Sequence, residues 1–189
     1  MVTIRNEALS DRKLRENLLE RVWGIVRLQK TAERLREGRN PAEGLSFVAA
    51  DDGCVVGTIR LWHISAGPDR PALLLGPLAV DEAWRGRGIG TALMRRALAG
   101  ARRRGHDAVL LVGDAAFYGR FGFSAEKTGA LWLPGPFERH RLLGCEFKPG
   151  TLDGARGLVT ATGRSAPISS LDTVIAGLGR NEPSARKVA

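Results

Sequence analysis

The apolar positions along the chain change period several times, and each change marks an element. Val2 to Asn6 alternates as a short first strand does. Leu14, Leu18, Val22 and Ile25 then recur at helical spacing, behind Ser10 or Asp11, either of which can cap a helix. Thr31 to Glu37 predicts a second short helix, closed by Gly38 and the Asn40-Pro41 breaker. Two strand-like runs, Ser46 to Ala50 and Cys54 to Ile64, flank Asp51-Asp52-Gly53, a hairpin signal with glycine at the turn. After a loop over Ser65 to Pro71, the apolar run Ala72 to Val80 reads as one strand.

The second half begins with an amphipathic helix from Gly90 to about Arg104. Leu93, Met94, Ala97, Leu98 and Ala101 form its apolar face, and Arg95, Arg96, Arg102 and Arg103 lie opposite. Gly105 ends it, and Ala108 to Val112 reads as a buried strand. A strand, a helix and another apolar strand at this spacing predict a right-handed crossover, so those two strands are expected to be parallel. Asp114 caps a short helix containing Phe117 and Tyr118, Phe121-Gly122-Phe123 turns into a further strand, and Arg141 to Phe147 is the last strand expected. From Gly150 onward the chain is rich in Gly, Ser and Ala, and only Leu171 to Leu178 looks helical. The expected organisation is one domain over 1–149, followed by a tail or loosely packed cap over 150–189. An antiparallel meander followed by a single parallel crossover is an α+β arrangement.

Composition narrows the function classes. The 189 residues suffice for one domain with a real core. The N-terminal stretch lacks the apolar run of a secretory signal, and no apolar run approaches the length of a membrane span, so a cytoplasmic protein is expected. Cys54 and Cys145 show no metal-ligand spacing and read as reduced core residues. The net charge of +9 is uneven. Seven arginines and no acid lie between Arg85 and Arg104, leaving +2 for the rest of the chain. A surplus focused on one loop and its helix points to a localised polyanion rather than to nucleic acid, whose binding proteins interleave basic and aromatic residues. Arginine outnumbers lysine 24 to 5, so composition bias accounts for part of the excess.

The loop Arg85-Gly86-Arg87-Gly88-Ile89-Gly90 carries the chemistry. It joins an apolar strand to a helix N-terminus, where unpaired amides and the helix dipole favour an anion. Its glycines let phosphate oxygens approach the backbone, and its arginines add fork-shaped charge. A Walker loop is excluded because no lysine follows the last glycine. A dinucleotide fingerprint is excluded because the glycines fall as G-x-G-x-G, with no acid at the end of the next strand.

The run LGPLAVDEAWRGRGIGTALMRRALAGARRRG, followed by AVLLVGDAAFYGRFGFS, resembles the GNAT superfamily of N-acetyltransferases, in particular small bacterial predicted acetyltransferases. The resemblance is strong from Leu73 to Ser124, thinner from Val2 to Ile64, and fades beyond Gly150. It implies a mixed, mostly antiparallel sheet with helices on both faces, splayed apart between the strands 72–80 and 108–112. Gly76-Pro77 fits such a break, since proline cannot donate to a ladder. The resemblance further implies acetyl-CoA as cosubstrate and an amine acceptor, without a metal. The cofactor would be held by Leu78, Ala79 and Val80, by Arg85, Gly86, Arg87, Gly88, Ile89, Gly90 and Thr91, and by Asp114. Tyr118 would be the general acid that protonates the departing thiolate, a role suited to a phenol; the other reading packs it on Phe117 and Phe121. The family's glutamate on the strand before the loop is missing from LLLGPLAV. A possible base is His63 or Glu82, with Asp81, Glu138, His140 and bulk water also open. A non-catalytic acetyl-CoA sensor is the alternative function, and a homodimer is possible for either.

Overall fold

A computed structural model describes residues 1–167. In chain order its elements are β1 (Thr3–Asn6), α1 (Arg12–Trp23), α2 (Thr31–Arg34), β2 (Ser46–Asp51), β3 (Cys54–Ala66), β4 (Pro71–Leu75), β5 (Ala79–Val80), α3 (Ile89–Arg103), β6 (Ala108–Val112), α4 (Ala115–Tyr118), β7 (Ala130–Trp132), β8 (Leu142–Glu146) and β9 (Arg156–Ala161). The main sheet runs β1-β2-β3-β4-β6-β8. Its pairs are antiparallel except β4 with β6, which are parallel through Leu73 opposite Val109 and Leu74 opposite Leu110. The α+β arrangement and the parallel crossover expected from the sequence are both present.

The sheet has an apolar layer on each face because its inner strands alternate between two burials. Ile59, Leu61, Leu73 and Leu75 pack with Leu93, Met94, Ala97 and Ala101 of α3. Trp62, Ile64, Leu74 and Leu110 point the other way, against Leu35, Leu131, Leu133 and Val159. The face expected for α3 is buried residue for residue. On α1 only Leu18 is fully buried among the four expected positions; Leu14 is 40 % and Ile25 76 % exposed. There the ordering contact is polar. Arg15, itself buried, pairs with Glu7, which also receives Arg60 of β3, so the helix is fixed to the sheet through a buried carboxylate. Asp11 accepts from Arg5 and from the Ala8 amide instead of capping the helix with its side chain.

Five expectations are corrected. The run 72–80 is two strands, β4 and β5, because a bulge interrupts it. The second helix stops at Arg34, and turns carry the chain to Gly38. No strand follows directly on Phe123; Ser124 makes only an isolated bridge to Gly144, and the next strand, β7, begins at Ala130. Arg141 to Phe147 does not hold the last strand, since β9 follows at Arg156–Ala161. β9 pairs with Ile64, Ser65 and Ala66 of β3 and runs parallel to β7. Past it, the Asn40 amide donates to Arg164 O and the Ala166 amide to Gly38 O. β3 runs two residues beyond Ile64, and its free edge there recruits β9, an open edge being an unpaired row of donors and acceptors. The helix expected over 171–178 lies outside the described residues. Cys145 is buried as expected, but Cys54 is exposed, since it opens β3 at the hairpin tip.

Candidate active site

The site begins at the bulge. Leu61 stands opposite Leu75, and Thr58 opposite Ala79. Three residues, Gly76, Pro77 and Leu78, therefore face two, Ile59 and Arg60, which bends the strand. Gly76 holds φ at +131°, a conformation open to glycine, and the Gly76–Pro77 peptide is cis. Its carbonyl accepts a hydrogen bond of 2.6 Å from the buried Trp62 indole. After the bulge, β5 stays with β3 and leaves β6, so the sheet opens. The Asp81 amide donates to Val56 O at 2.9 Å, making 81 with 56 a bonded pair of the antiparallel ladder. Bonded and non-bonded pairs alternate, so the N–H and C=O of Val80 face the opening.

One cavity, of about 600 Å³, lies on the glycine-loop side of the opening. Gly86 and Gly88 both hold φ at +76°, and Gly88 is the N-terminal cap of the 15-residue α3. A side chain at either position would find open space but a strained backbone, so glycine is required here for conformation. The amides at the start of α3 have no partner within the helix, which makes this end a ready anion site. Leu78, Ala79, Val80, Arg85, Gly86, Gly88, Ile89, Gly90 and Thr91 all line this cavity. Arg87 does not; its guanidinium stacks on Trp84 at 4.7 Å. Asp114 does not either, because its carboxylate caps α4 by accepting from the Ala116 amide. Arg120, unremarked in the sequence, does line it, and stacks on Phe117 at 4.7 Å.

A second cavity, of about 540 Å³, lies across the opening. Trp23, Leu78 and Phe117 line both, so the two meet at the bulge. Tyr118 lines the second cavity beside that junction. Its ring stands edge-on to Phe117, with centroids 4.9 Å apart, and a Cβ on Gly113 would overlap it. Burial pushes the Tyr118 phenol above its ordinary value, although nearby Arg141 and Arg36 oppose the rise. It is therefore a proton-bearing group at neutral pH.

Neither residue favoured as a base reaches these cavities. His63 pairs in register with Leu73, and its ring lies 5.4 Å from that of His106. Because β3 runs antiparallel to β4, its C-terminal end lies beside the start of β4, while the sheet opens past the end of β4. Glu82 is exposed and faces Arg85 at 3.6 Å. Asp81 accepts from Arg21 at 2.9 Å. Of the charged residues of the second cavity, sequence reasoning singled out Asp114 and Glu138 and missed Arg27, Lys30, Glu33, Arg36 and Arg141. The only local signal was the spacing of Glu33 and Arg36, which pair at 2.9 Å one helical turn apart. Among the described residues no group of three His, Cys, Asp or Glu could hold a metal, and no helix is long and apolar enough to cross a membrane.

Comparison with known proteins agrees with this geometry. Residues 13–123 match the model of the acetyltransferase (GNAT) family. An uncharacterized N-acetyltransferase of Escherichia coli, YhbS, is 37 % identical over 122 residues, which are 61 % of this chain and 70 % of that protein. The crystal structure of the E. coli YhbS protein in complex with CoA superposes with a TM-score of 0.72 at 31 % identity, covering 85 % of this chain and 89 % of that one. A GNAT acetyltransferase from Brucella melitensis, in complex with acetyl-CoA, gives a TM-score of 0.60 at 28 % identity over 85 % of this chain and 95 % of the other.

Proposed function

The chain belongs to the GNAT family of acetyltransferases, and from that premise we propose that it moves an acetyl group from acetyl-CoA to a primary amine by direct attack in a ternary complex. The observation that carries this reading is the meeting of two cavities at one opening, with a half-buried phenol beside the junction.

The groups of the glycine-loop cavity fit a diphosphate. Free amides at the start of α3, two left-handed glycines and the guanidinium groups of Arg85 and Arg120 supply donors and positive charge, with no acid among the lining residues. The backbone of Val80 offers a pantetheine amide the same pairing that a neighbouring strand would take. Bound there, acetyl-CoA supplies a thioester whose carbonyl carbon is open to attack.

The chain's own part is positional and electrostatic. The second cavity holds the amine against the bulge, which replaces a bimolecular encounter by a fixed approach. As the nitrogen–carbon bond forms and the carbon–sulfur bond breaks, Tyr118 gives its phenolic proton to the sulfur and is reprotonated from water. The amine loses its proton to water as well, since Glu33 is engaged by Arg36, Glu138 by Arg141 and Asp114 by the Ala116 amide, and His63 and Glu82 lie outside the cavities.

Two measurements test the reading. Acetyl-CoA and CoA at a hundredfold excess over Kd raise the unfolding midpoint, by about 2.7 kcal/mol of added stability, and ATP or NAD at the same concentration does far less. Acetyl-CoA with a panel of amines releases free thiol only when an amine is present. Equal shifts from all nucleotides, or thiol release indifferent to amine, would sink the assignment.

A further inference from the structure

The second cavity is more cationic than a pocket built for a simple ammonium. Arg27, Lys30, Arg36 and Arg141 line it, against Glu33, Asp114 and Glu138. Three of the cations have carboxylate partners. Arg27 pairs with Glu16 outside the lining, Arg36 with Glu33 at 2.9 Å, and Arg141 with Glu138 at a loose 3.6 Å. Lys30 makes no ion pair among the described residues. Its ammonium sits 4.0 Å from the Trp23 ring centroid, at the rim of the cavity.

The hydrogen bonding of the arginines is incomplete too. Arg36 spends one guanidinium nitrogen on Glu33, while its buried Nε has no partner; the buried Nε of Arg27 has none either. A buried donor without a partner is costly and rare, and calls for a reason. The Nη2 of Arg36 lies 3.2 Å from where a Cβ on Gly76 would stand, which sets this guanidinium over the bulge where the two cavities meet. Burial, then repulsion from Arg141 and Arg36, pushes the Lys30 ammonium below its ordinary value. Among the described residues Lys30 is thus the lining cation without a carboxylate partner, and it lies close enough to Arg36 and Arg141 to feel both. The remaining walls are apolar, with Trp23, Leu133 and Phe137 among them.

Resting on the acyl-transfer reading, we propose that the acceptor is an amine that also carries a carboxylate, an amino-acid-like zwitterion with an apolar side chain. The carboxylate lies against Lys30, Arg36 and Arg141, and the side chain lies on Trp23, Leu133 and Phe137. An ammonium alone leaves the Lys30 charge unpaired, whereas a carboxylate on the same molecule pairs with it and accepts charge-assisted bonds from Lys30 and from the Arg36 guanidinium over the bulge. The unpaired Lys30 weighs against cationic acceptors such as polyamines or lysine-rich tails.

Matched trios test the assignment: phenylalanine, phenylalaninamide and phenethylamine, with the corresponding leucine set, compared by kcat/KM for thiol release. The free amino acid is expected to exceed its amide and its decarboxylated amine by about 10- to 100-fold, the range of one charge-assisted hydrogen bond. Lys30→Gln and Arg141→Gln, both at exposed positions, each cut that preference about tenfold. A second readout needs no turnover: N-acetylphenylalanine binds the CoA-saturated protein more tightly than N-acetylphenylalaninamide does, and Lys30→Gln removes the difference. Carboxylate-selective binding without acetylation of any amine would sink the acyl-transfer reading and leave the anion site standing. Amides or decarboxylated amines equal to the amino acids in both readouts, or no binding of either acetylated compound, overturn the proposal.

Discussion

The two cavities meet at one bulge yet are built on different plans. On the glycine-loop side, most of the wall comes from residues 78–91, and its recognition elements are main-chain donors at a helix N-terminus. The second cavity draws its wall from four stretches, 23–36, 75–78, 112–118 and 133–141, and its recognition elements are side chains. Those stretches are tied together over long sequence distances: Thr31 donates to Pro136 O, and Arg34 to Pro134 O at 2.7 Å. Main-chain recognition is written in a short contiguous run. Side-chain recognition is spread over the chain and exists only once the chain has folded. This is the reason one cosubstrate can be read from a motif while the acceptor cannot.

The sharpest way to break the comparison is Tyr118→Phe. If the hydroxyl acts only as the carbon–sulfur bond breaks, kcat falls by roughly 10²- to 10⁴-fold while the Kd for acetyl-CoA hardly changes. Calorimetric titration alongside steady-state kinetics separates the two. Full activity would make Tyr118 a packing residue, and parallel loss of binding would move it to the cosubstrate side.

Gly88→Glu attacks the other half. A carboxylate then sits at the anion site, on a residue that must hold φ at +76°. The Kd for CoA is expected to rise about a hundredfold or more, with a folding cost of about 1–2 kcal/mol from the left-handed backbone. Undiminished affinity in a protein that circular dichroism shows to be folded would remove the loop from the phosphate site.

Gly113→Ala is a subtler probe, since its Cβ overlaps the Tyr118 ring and must displace it. About a tenfold drop in kcat with an unchanged Kd for CoA is expected, because a small misplacement of a reacting group already costs rate. An equal drop starting from Tyr118→Phe would show that the glycine acts by some route other than the phenol.

The smallest expected effect is a flat line. The acid must be protonated to work, and burial raises its pKa from the ordinary 10.0. Ionisation of Tyr118 therefore removes activity only as pH rises above about 10, and kcat is constant on its account below that. A limb centred below pH 9 that disappears in Tyr118→Phe would show a phenol ionising more easily than its burial allows.

Much of this architecture was legible in the sequence because it rests on local pattern. The Asp51-Asp52-Gly53 hairpin, the buried face of α3 and the parallel crossover follow from turn chemistry and from periods of 2 and 3.6. The glycine loop was legible for the same reason: spacing alone separates it from a Walker loop or a dinucleotide fingerprint. Where burial depends on a distant partner, the pattern misleads. Ile25 continues the helical period of α1 but ends exposed, and buried Arg15 interrupts it because the carboxylates of Glu7 and Glu16 neutralise it. Likewise β9 carries a weak strand signal and forms because β3 leaves an edge open to it.

Sequence by itself thus determined the α+β frame, the helix whose N-terminus opens on the first cavity, and the glycines that let its loop turn, since each depends on backbone conformation that a few neighbouring residues dictate. The tertiary structure alone decided which end of β3 borders the opening, which leaves His63 away from both cavities. It also decided which charges share the second cavity. Antiparallel pairing reverses direction across the sheet, and Coulomb fields depend on distance in space, so neither quantity can be read along the chain.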